Sequence, residues 1–225
     1  MITVSMPSWP LFDLRIRCRS VELRPVQEKD LPVLAAIQPD DYELDPRAEL
    51  FPGLDPRQDR ERLCYQGYWR SRGTWSPSSW CLDLAVEVDG ALVGVQSLEA
   101  ERFPALRTVD SGSWLIPDVR GRGHGVAMRT AVLGLAFDHL GALAAVTSAY
   151  ADNAASLGVS RRIGYQPNGV SLIESPRGPA ELTHLRLTAA DWHRSGQGKE
   201  VTVTAFDPCR PWFGPGQGGP AGGAG

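Results

Sequence analysis

The sequence predicts one large domain of the α/β (α+β) class, on three observations. Short runs alternate apolar and polar residues at the period of half-buried strands, as around Leu14, Ile16, Val21 and Leu23. Longer segments carry apolar residues at helical spacing, most clearly Val126, Val132, Leu135, Ala136 and Leu140. Between a strand run and that helix lies "RGRGHG", residues 120–125, a turn dense in glycine and flanked by arginine. A chain of 225 residues with ordinary apolar content can bury a substantial single core.

Taken in order, "LRIRCRSVELRPV" reads as one or two strands. Asp30 is placed to cap a helix that begins at Leu31 and runs to about Gln38, since Pro32 needs no acceptor in a first turn. Residues 39–56 are rich in Pro, Asp and Glu and read as a loop, and "RQDRERLCYQGYWRSRG" reads as a second helix through Leu63, Cys64, Gly67 and Tyr68. "CLDLAVEVDGALVGVQSL" is a hairpin, because Asp89-Gly90 tolerates the positive φ angles of a type I′ turn. Residues 111–116 form the next strand, and the helix after the glycine turn stops at Gly141. "LAAVTSAY" is a strand, "NAASLGVSRRIG" a short helix ending at Gly164, "GVSLIE" and "ELTHLRL" two more strands, and "VTVTAF" a possible extra one. The tail 214–225 is too poor in side chains to bury anything and reads as flexible.

Composition narrows the function. The formal net charge of −3 gives no general basic footprint, so nucleic-acid binding is not expected, although Arg15, Arg17 and Arg19 cluster locally. Cys18, Cys64, Cys81 and Cys209 stand far apart with no CxxC spacing, which argues for reduced thiols in a cytoplasmic protein and against a metal site. No stretch approaches the ~18 apolar residues of a membrane span, and no basic leader with an apolar core opens the sequence.

The glycine turn carries the chemistry. With Gly121, Gly123 and Gly125 bare of side chains, several backbone N–H groups can converge on one anion at a helix N-terminus, whose dipole adds roughly half a positive charge. Arg120 and Arg122 can reach the rim of that site. No Gly-Lys-Ser/Thr follows and the spacing is not G-x-G-x-x-G, so nucleoside triphosphates and dinucleotides lose their usual warrant. A tight turn with no ligand is the alternative reading of the hexapeptide taken alone.

Residues Arg120-Gly121-Arg122-Gly123-His124-Gly125 match the R/Q-x-x-G-x-G/A motif of the GCN5-related N-acetyltransferases, in that family's order of strand, loop and helix. "ADNAASLGVSRRIGY" resembles the RimJ/RimL branch, with Asn153, Ser156, Gly164 and Tyr165 in the branch's positions, as do "VELRPVQEKDLPVLAAI" and "LTAADW". The resemblance covers about residues 14–194, leaving extensions at 1–13 and 195–213. "WPLFDLRI", "VDSGSW" and "FDPCRPWFGP" resemble an actinobacterial subgroup with succinyl-CoA-using members.

The resemblance implies a twisted, mostly antiparallel sheet of about seven strands, splayed between the fourth and fifth and flanked by about four helices. It implies direct transfer of an acetyl or succinyl group from coenzyme A to an amine-bearing acceptor, a protein N-terminus, a lysine or a small molecule, with homo-oligomers possible. Leu115 and Ile116 would offer backbone N–H groups to the thioester carbonyl. Arg120 to Val126 would hold the pyrophosphate, with Asn153 and Ser156 beside them. Ser156 is the candidate for protonating the leaving thiolate, because the position where many members carry a tyrosine is Ser160 here. His124 would act through its backbone.

An amine must be neutral to attack, which costs a lysine side chain roughly 4–5 kcal/mol at pH 7 and an α-amine about 1 kcal/mol. Glu99 is the first candidate base, with Glu101, Asp110 and Glu174 as others. Trp69, Trp75, Trp80 and Trp114 could line an acceptor cleft or pack in the core, and Ser113 stands where the family more commonly has an aromatic or apolar residue. A succinyl carboxylate would need a cation at the acyl end, for which Arg102, Arg107 and Arg177 are the arginines in suitable loops. The competing reading is a non-catalytic module of the same fold that binds an acyl-CoA or a protein. Intact Arg120, Gly123, Gly125, Asn153 and Ser156 favour the enzyme.

Overall fold

The computed structural model describes residues 9–42, 49–175 and 178–214. The flexible tail expected beyond Gly214, most of the extension 1–13, and Arg177 lie outside those residues. In chain order the elements are β1 (Arg15–Cys18), β2 (Val21–Pro25), α1 (Leu31–Ile37), α2 (Pro56–Gly73), β3 (Trp80–Val88), β4 (Ala91–Ala100), α3 (Phe103–Leu106), β5 (Thr108–Val109), β6 (Ser113–Leu115), α4 (His124–Gly134), β7 (Ala144–Tyr150), α5 (Ala154–Ile163), β8 (Gln166–Ser175), β9 (Gly178–Thr188), α6 (Ala189–Ser195) and β10 (Val201–Thr204).

The strands form two sheets, one in the order β10-β1-β2-β3-β4-β6 and the other β5-β7-β9-β8. Every pairing is antiparallel except β5 with β7. The strand expected at 111–116 is observed as the shorter β6, which follows β4, and it is preceded by a separate two-residue β5 that follows β7, with an isolated bridge between Glu99 and Asp110 joining the sheets.

Local chemistry accounts for most element ends. Asp89 and Gly90 both take positive φ, 50° and 78°, as the type I′ hairpin requires. Asp55 caps α2 by accepting from Arg57 N–H and Gln58 N–H, and the Gln58 side chain accepts from Asp55 N–H in return. Asp30 does not cap the first turn of α1. Its carboxylate accepts the Gln27 N–H at 2.8 Å and holds Arg24 in a two-pronged ion pair at 2.6 and 2.9 Å, closing a capping box one turn earlier. Thr188 caps α6, a helix the apolar spacing did not reveal, and Gly196 ends it with φ 70°.

The helix α4 is more deeply set than its amphipathic pattern suggested, with every residue from Val126 to Gly134 buried, Arg129 and Thr130 included. One face lies on β1, β2 and β4, and α5 and β10 cover the rest. Gly134 permits this, because a Cβ there would stand 2.7 Å from Val201 Cγ1. Residues 201–213 are therefore part of the packed body: β10 extends the sheet at β1, and Phe206, Cys209 and Phe213 are buried in the main core. Trp75 and Trp80 pack there against Phe213, with Trp9 and Trp212 alongside. A second core, built on Leu31, Leu34, Tyr68, Ala85, Val95 and Trp114, lies between α1, α2 and the other sheet face.

Candidate active site

The site begins where the sheets part. From Thr108 the chain leaves β7 and follows β4, with Ser97 N–H donating to Gly112 O at 2.8 Å and Ile116 N–H to Val93 O at 2.9 Å. Hydrogen bonding in an antiparallel pair alternates, so Asp110, Gly112, Trp114 and Ile116 turn their N–H groups to β4 while Ser113 and Leu115 turn theirs away. Among the described residues no strand pairs with β6 on that side. Ile116 N–H is thus committed to Val93, and the slot-facing donors are Ser113 and Leu115. Gly94 lets β6 sit this close, since a Cβ on it would lie 2.2 Å from Trp114 O.

Between β6 and β7 opens a cavity of about 870 Å³ that runs from Ser111 and Gly112 to the glycine turn and the start of α5. Gly121 and Gly123 adopt φ of 73° and 88°, and a Cβ on either would meet nothing within 4 Å. The turn is therefore a bare cradle over open space. Gly123 is the N-cap of α4 and supplies no side-chain cap; Val126 N–H is bonded to Gly123 O, which leaves the N–H groups of His124 and Gly125 for an external acceptor among the described residues. Gly125 serves packing instead, since a Cβ there would lie 3.3 Å from Val159 of α5. Asn153 caps α5 by accepting Ser156 N–H at 3.0 Å. That places the half-buried Ser156 on the cavity wall.

Of the residues expected to hold an acyl-CoA, Leu115, Arg120, Gly121, Gly123, Gly125, Val126, Asn153 and Ser156 line this cavity, whereas Ile116, Arg122 and His124 do not. Arg122 is exposed, and the His124 ring stands 3.5 Å from Ser20 Oγ. Arg120 does not present a free guanidinium. Nη1 and Nη2 grip Asp41 at 2.5 and 2.8 Å and Nε donates to Leu115 O at 2.9 Å, so the residue clamps the loop after α1 to the end of β6. The Asp41 carboxyl is held below the ordinary range by this arginine.

Glu99 does not line the cavity but sits just past its inner end, opposite both Cys81 and Asp110. Glu99 is exposed as a residue, yet desolvation at its carboxyl raises it above the ordinary glutamate range, and the like charges of Asp110 and Asp83 push it further. Burial likewise raises Asp110 and Asp83, the latter accepting from Ser97 Oγ at 3.0 Å. Glu101 and Glu174 are exposed. Of the four tryptophans, Trp114 alone lines the cavity, edge-on to Tyr42 at 6.2 Å, and Trp69 is 52% exposed.

Sequence reasoning missed Arg129. It is 4% exposed, it lines the cavity, and it reaches Thr147 Oγ1 and Ser113 Oγ, each at 3.4 Å. An arginine in the middle of an apolar helical run was the available signal.

Residues 20–166 match the family model described as the acetyltransferase (GNAT) domain, well over half the chain. RimJ from Mycobacterium smegmatis, solved in complex with CoA-disulfide, superposes with a TM-score of 0.63 at 20% identity, covering 85% of this chain and 97% of that one. A GCN5-related N-acetyltransferase from Brucella melitensis gives 0.61 at 17% identity over 80% of each chain. An acetyltransferase (GNAT family) from Bacillus anthracis gives 0.60 at 15% identity, over 78% and 99%. These likenesses establish the fold.

Proposed function

This chain belongs to the acetyltransferase (GNAT) domain family, and on that premise we propose that it transfers an acyl group from coenzyme A to a primary amine of an acceptor, with the cavity between β6 and β7 as the donor site. The observation that carries the reading is the bare cradle of Gly121 and Gly123 at the N-terminus of α4, opening onto a slot whose β6 wall has unpaired backbone. The cradle suits a pyrophosphate, and the slot edge suits the two amides of a pantetheine arm. Ser113 and Leu115 N–H would meet the thioester carbonyl and stabilise the charge that develops on its oxygen.

In the transfer itself, the neutral amine nitrogen bonds to the thioester carbonyl carbon and the carbon–sulfur bond breaks. The products are an amide and free coenzyme A thiol. The proton lost from nitrogen goes to Glu99, directly or through water, and the thiolate takes one from Ser156 or from solvent. Glu99 fits because a carboxyl raised above the ordinary glutamate range is a better base, once ionised, than an ordinary one. Since a thiol of pKa near ~8.5 leaves readily, Ser156 is the less demanding of the two roles.

Gly123→Glu tests the donor site. A carboxylate placed in the cradle repels the pyrophosphate, and the positive φ strains any side chain. The dissociation constant for acetyl-CoA, measured by calorimetry, rises at least a hundredfold, while Arg120→Ala raises it less because the backbone donors remain. An unchanged constant for Gly123→Glu with a native circular dichroism spectrum removes the assignment.

A further inference from the structure

Resting on that placement of the donor, we infer that Ser148 and His184 form a second proton-accepting station, on the wall of the slot opposite β6, which takes the first proton from an acceptor amine arriving as its cation. Ser148 is exposed and lines the cavity, and its Oγ stands 2.7 Å from His184 Nδ1. The other ring nitrogen, Nε2, stands 2.8 Å from Ser171 Oγ. His184 on β9 is thus held at both nitrogens, between a serine of β7 and a serine of β8. With the Nε2 proton given to Ser171, Nδ1 keeps its lone pair for the Ser148 hydroxyl. A hydroxyl backed by an imidazole that a third group orients is an arrangement that moves protons.

Strand register puts the pair beside the thioester. β5 and β7 pair Thr108 with Ala144 and Val109 with Ala145, and Thr147 Oγ1 still reaches Ser111 O at 3.3 Å as the strands part. One step further, Ser148 stands across the slot from Gly112, next to Ser113, whose N–H is assigned to the thioester carbonyl. Gly112 is exposed and a Cβ on it would meet nothing within 4 Å, so the space between the two walls is open there. Thr147 points toward Arg129 on α4, and Ser148, the next residue of the strand, faces the other way. By the same alternation Asp110, opposite Glu99, shares that face, and His184 is close enough to Asp110 to interact with its charge.

The proton count calls for this second acceptor. An alkylammonium loses two protons on becoming an amide, one to free its lone pair and one as the carbon–nitrogen bond forms. Glu99 is assigned only one of them. The first passes from the ammonium nitrogen to Ser148 Oγ while the Ser148 proton moves to His184 Nδ1. That leaves a neutral amine facing the thioester carbon and an imidazolium, which returns its extra proton to solvent. Imidazole suits the task because it exchanges protons near neutral pH.

Free thiol release from acetyl-CoA by the full chain at pH 7 tests the inference. Two amines are compared: the most active cationic one from a panel of α-amines, lysine peptides and polyamines, and hydroxylamine, which is already neutral at that pH. Ser148→Ala and His184→Asn each lower kcat/KM for the cationic amine about tenfold or more, and the double variant is no worse than either, because the two side chains act as one unit. The loss with hydroxylamine is much smaller, and the dissociation constant for acetyl-CoA stays within about twofold. Ser148→Ala, a small change at an exposed position, carries the test should His184→Asn fail to fold. The inference is overturned if Ser148→Ala leaves kcat/KM for the cationic amine unchanged, if both amines lose activity alike, or if the losses of the two variants add. Each of these results leaves the acyltransferase reading standing. Absence of amine-dependent release from the unmodified chain overturns both, so the two readings fail in different ways.

Discussion

At the residue scale, Glu99, an exposed residue whose carboxyl is crowded by other carboxylates, and the buried Arg129 differ by environment. Glu99 faces Cys81 and Asp110 across antiparallel neighbours, and desolvation together with the like charges of Asp110 and Asp83 holds its carboxyl high. As a base it must be ionised, so activity rises with pH through its folded-state pKa, and that limb lies above the ordinary glutamate range. Glu99→Gln removes the limb and lowers kcat/KM for the amine by about 10²–10⁴, the usual worth of a positioned base. A pH–rate profile of the variant that keeps the wild-type limb assigns the base elsewhere, with Asp110 next in line. In stability the sign runs the other way. A raised carboxyl favours the folded state below its unfolded pKa, and that contribution is lost as pH climbs through the folded one.

At the element scale, the slot depends on β6 being held to β4 on one edge alone. Gly94→Ala tests this, because its Cβ would fall 2.2 Å from a backbone oxygen that no rotamer change can move. The strand must shift, at a cost of roughly 1–3 kcal/mol, and the donor N–H groups of Ser113 and Leu115 shift with it. Urea unfolding should show that loss together with weaker acetyl-CoA binding; a loss below about 0.5 kcal/mol contradicts the close approach. Most elements were legible in the sequence, since Asp89-Gly90, Asn153 and Gly164 act through their own backbone neighbours. The division of residues 108–115 into β5 and β6 was not, because it is set by which partner strand each end meets. The capping role given to Asp30 failed for the same reason: Arg24, on the strand before it, claims the carboxylate.

At the scale of the whole molecule, the conformation of the glycine turn was read most directly, because the positive φ at Gly121 and Gly123 is what glycine alone makes easy. Arg129 was hidden, because only the packing of α4 under β6 and β7 turns a residue inside an apolar run into a cavity wall. Arg120 stood in the motif, yet its tie to Asp41 depends on a loop nearly 80 residues earlier. The two cores, the parted sheets and the cradle together build the donor site that the proposed acyl transfer uses, and the same features would also serve a module that only holds a ligand. One measurement separates these: following free thiol release when the chain is incubated with acetyl-CoA or succinyl-CoA against a panel of α-amines, lysine side chains and polyamines. The account predicts release that requires both protein and amine and is lost in Gly123→Glu. Tight thioester binding with no amine-dependent release above the uncatalysed rate would contradict it.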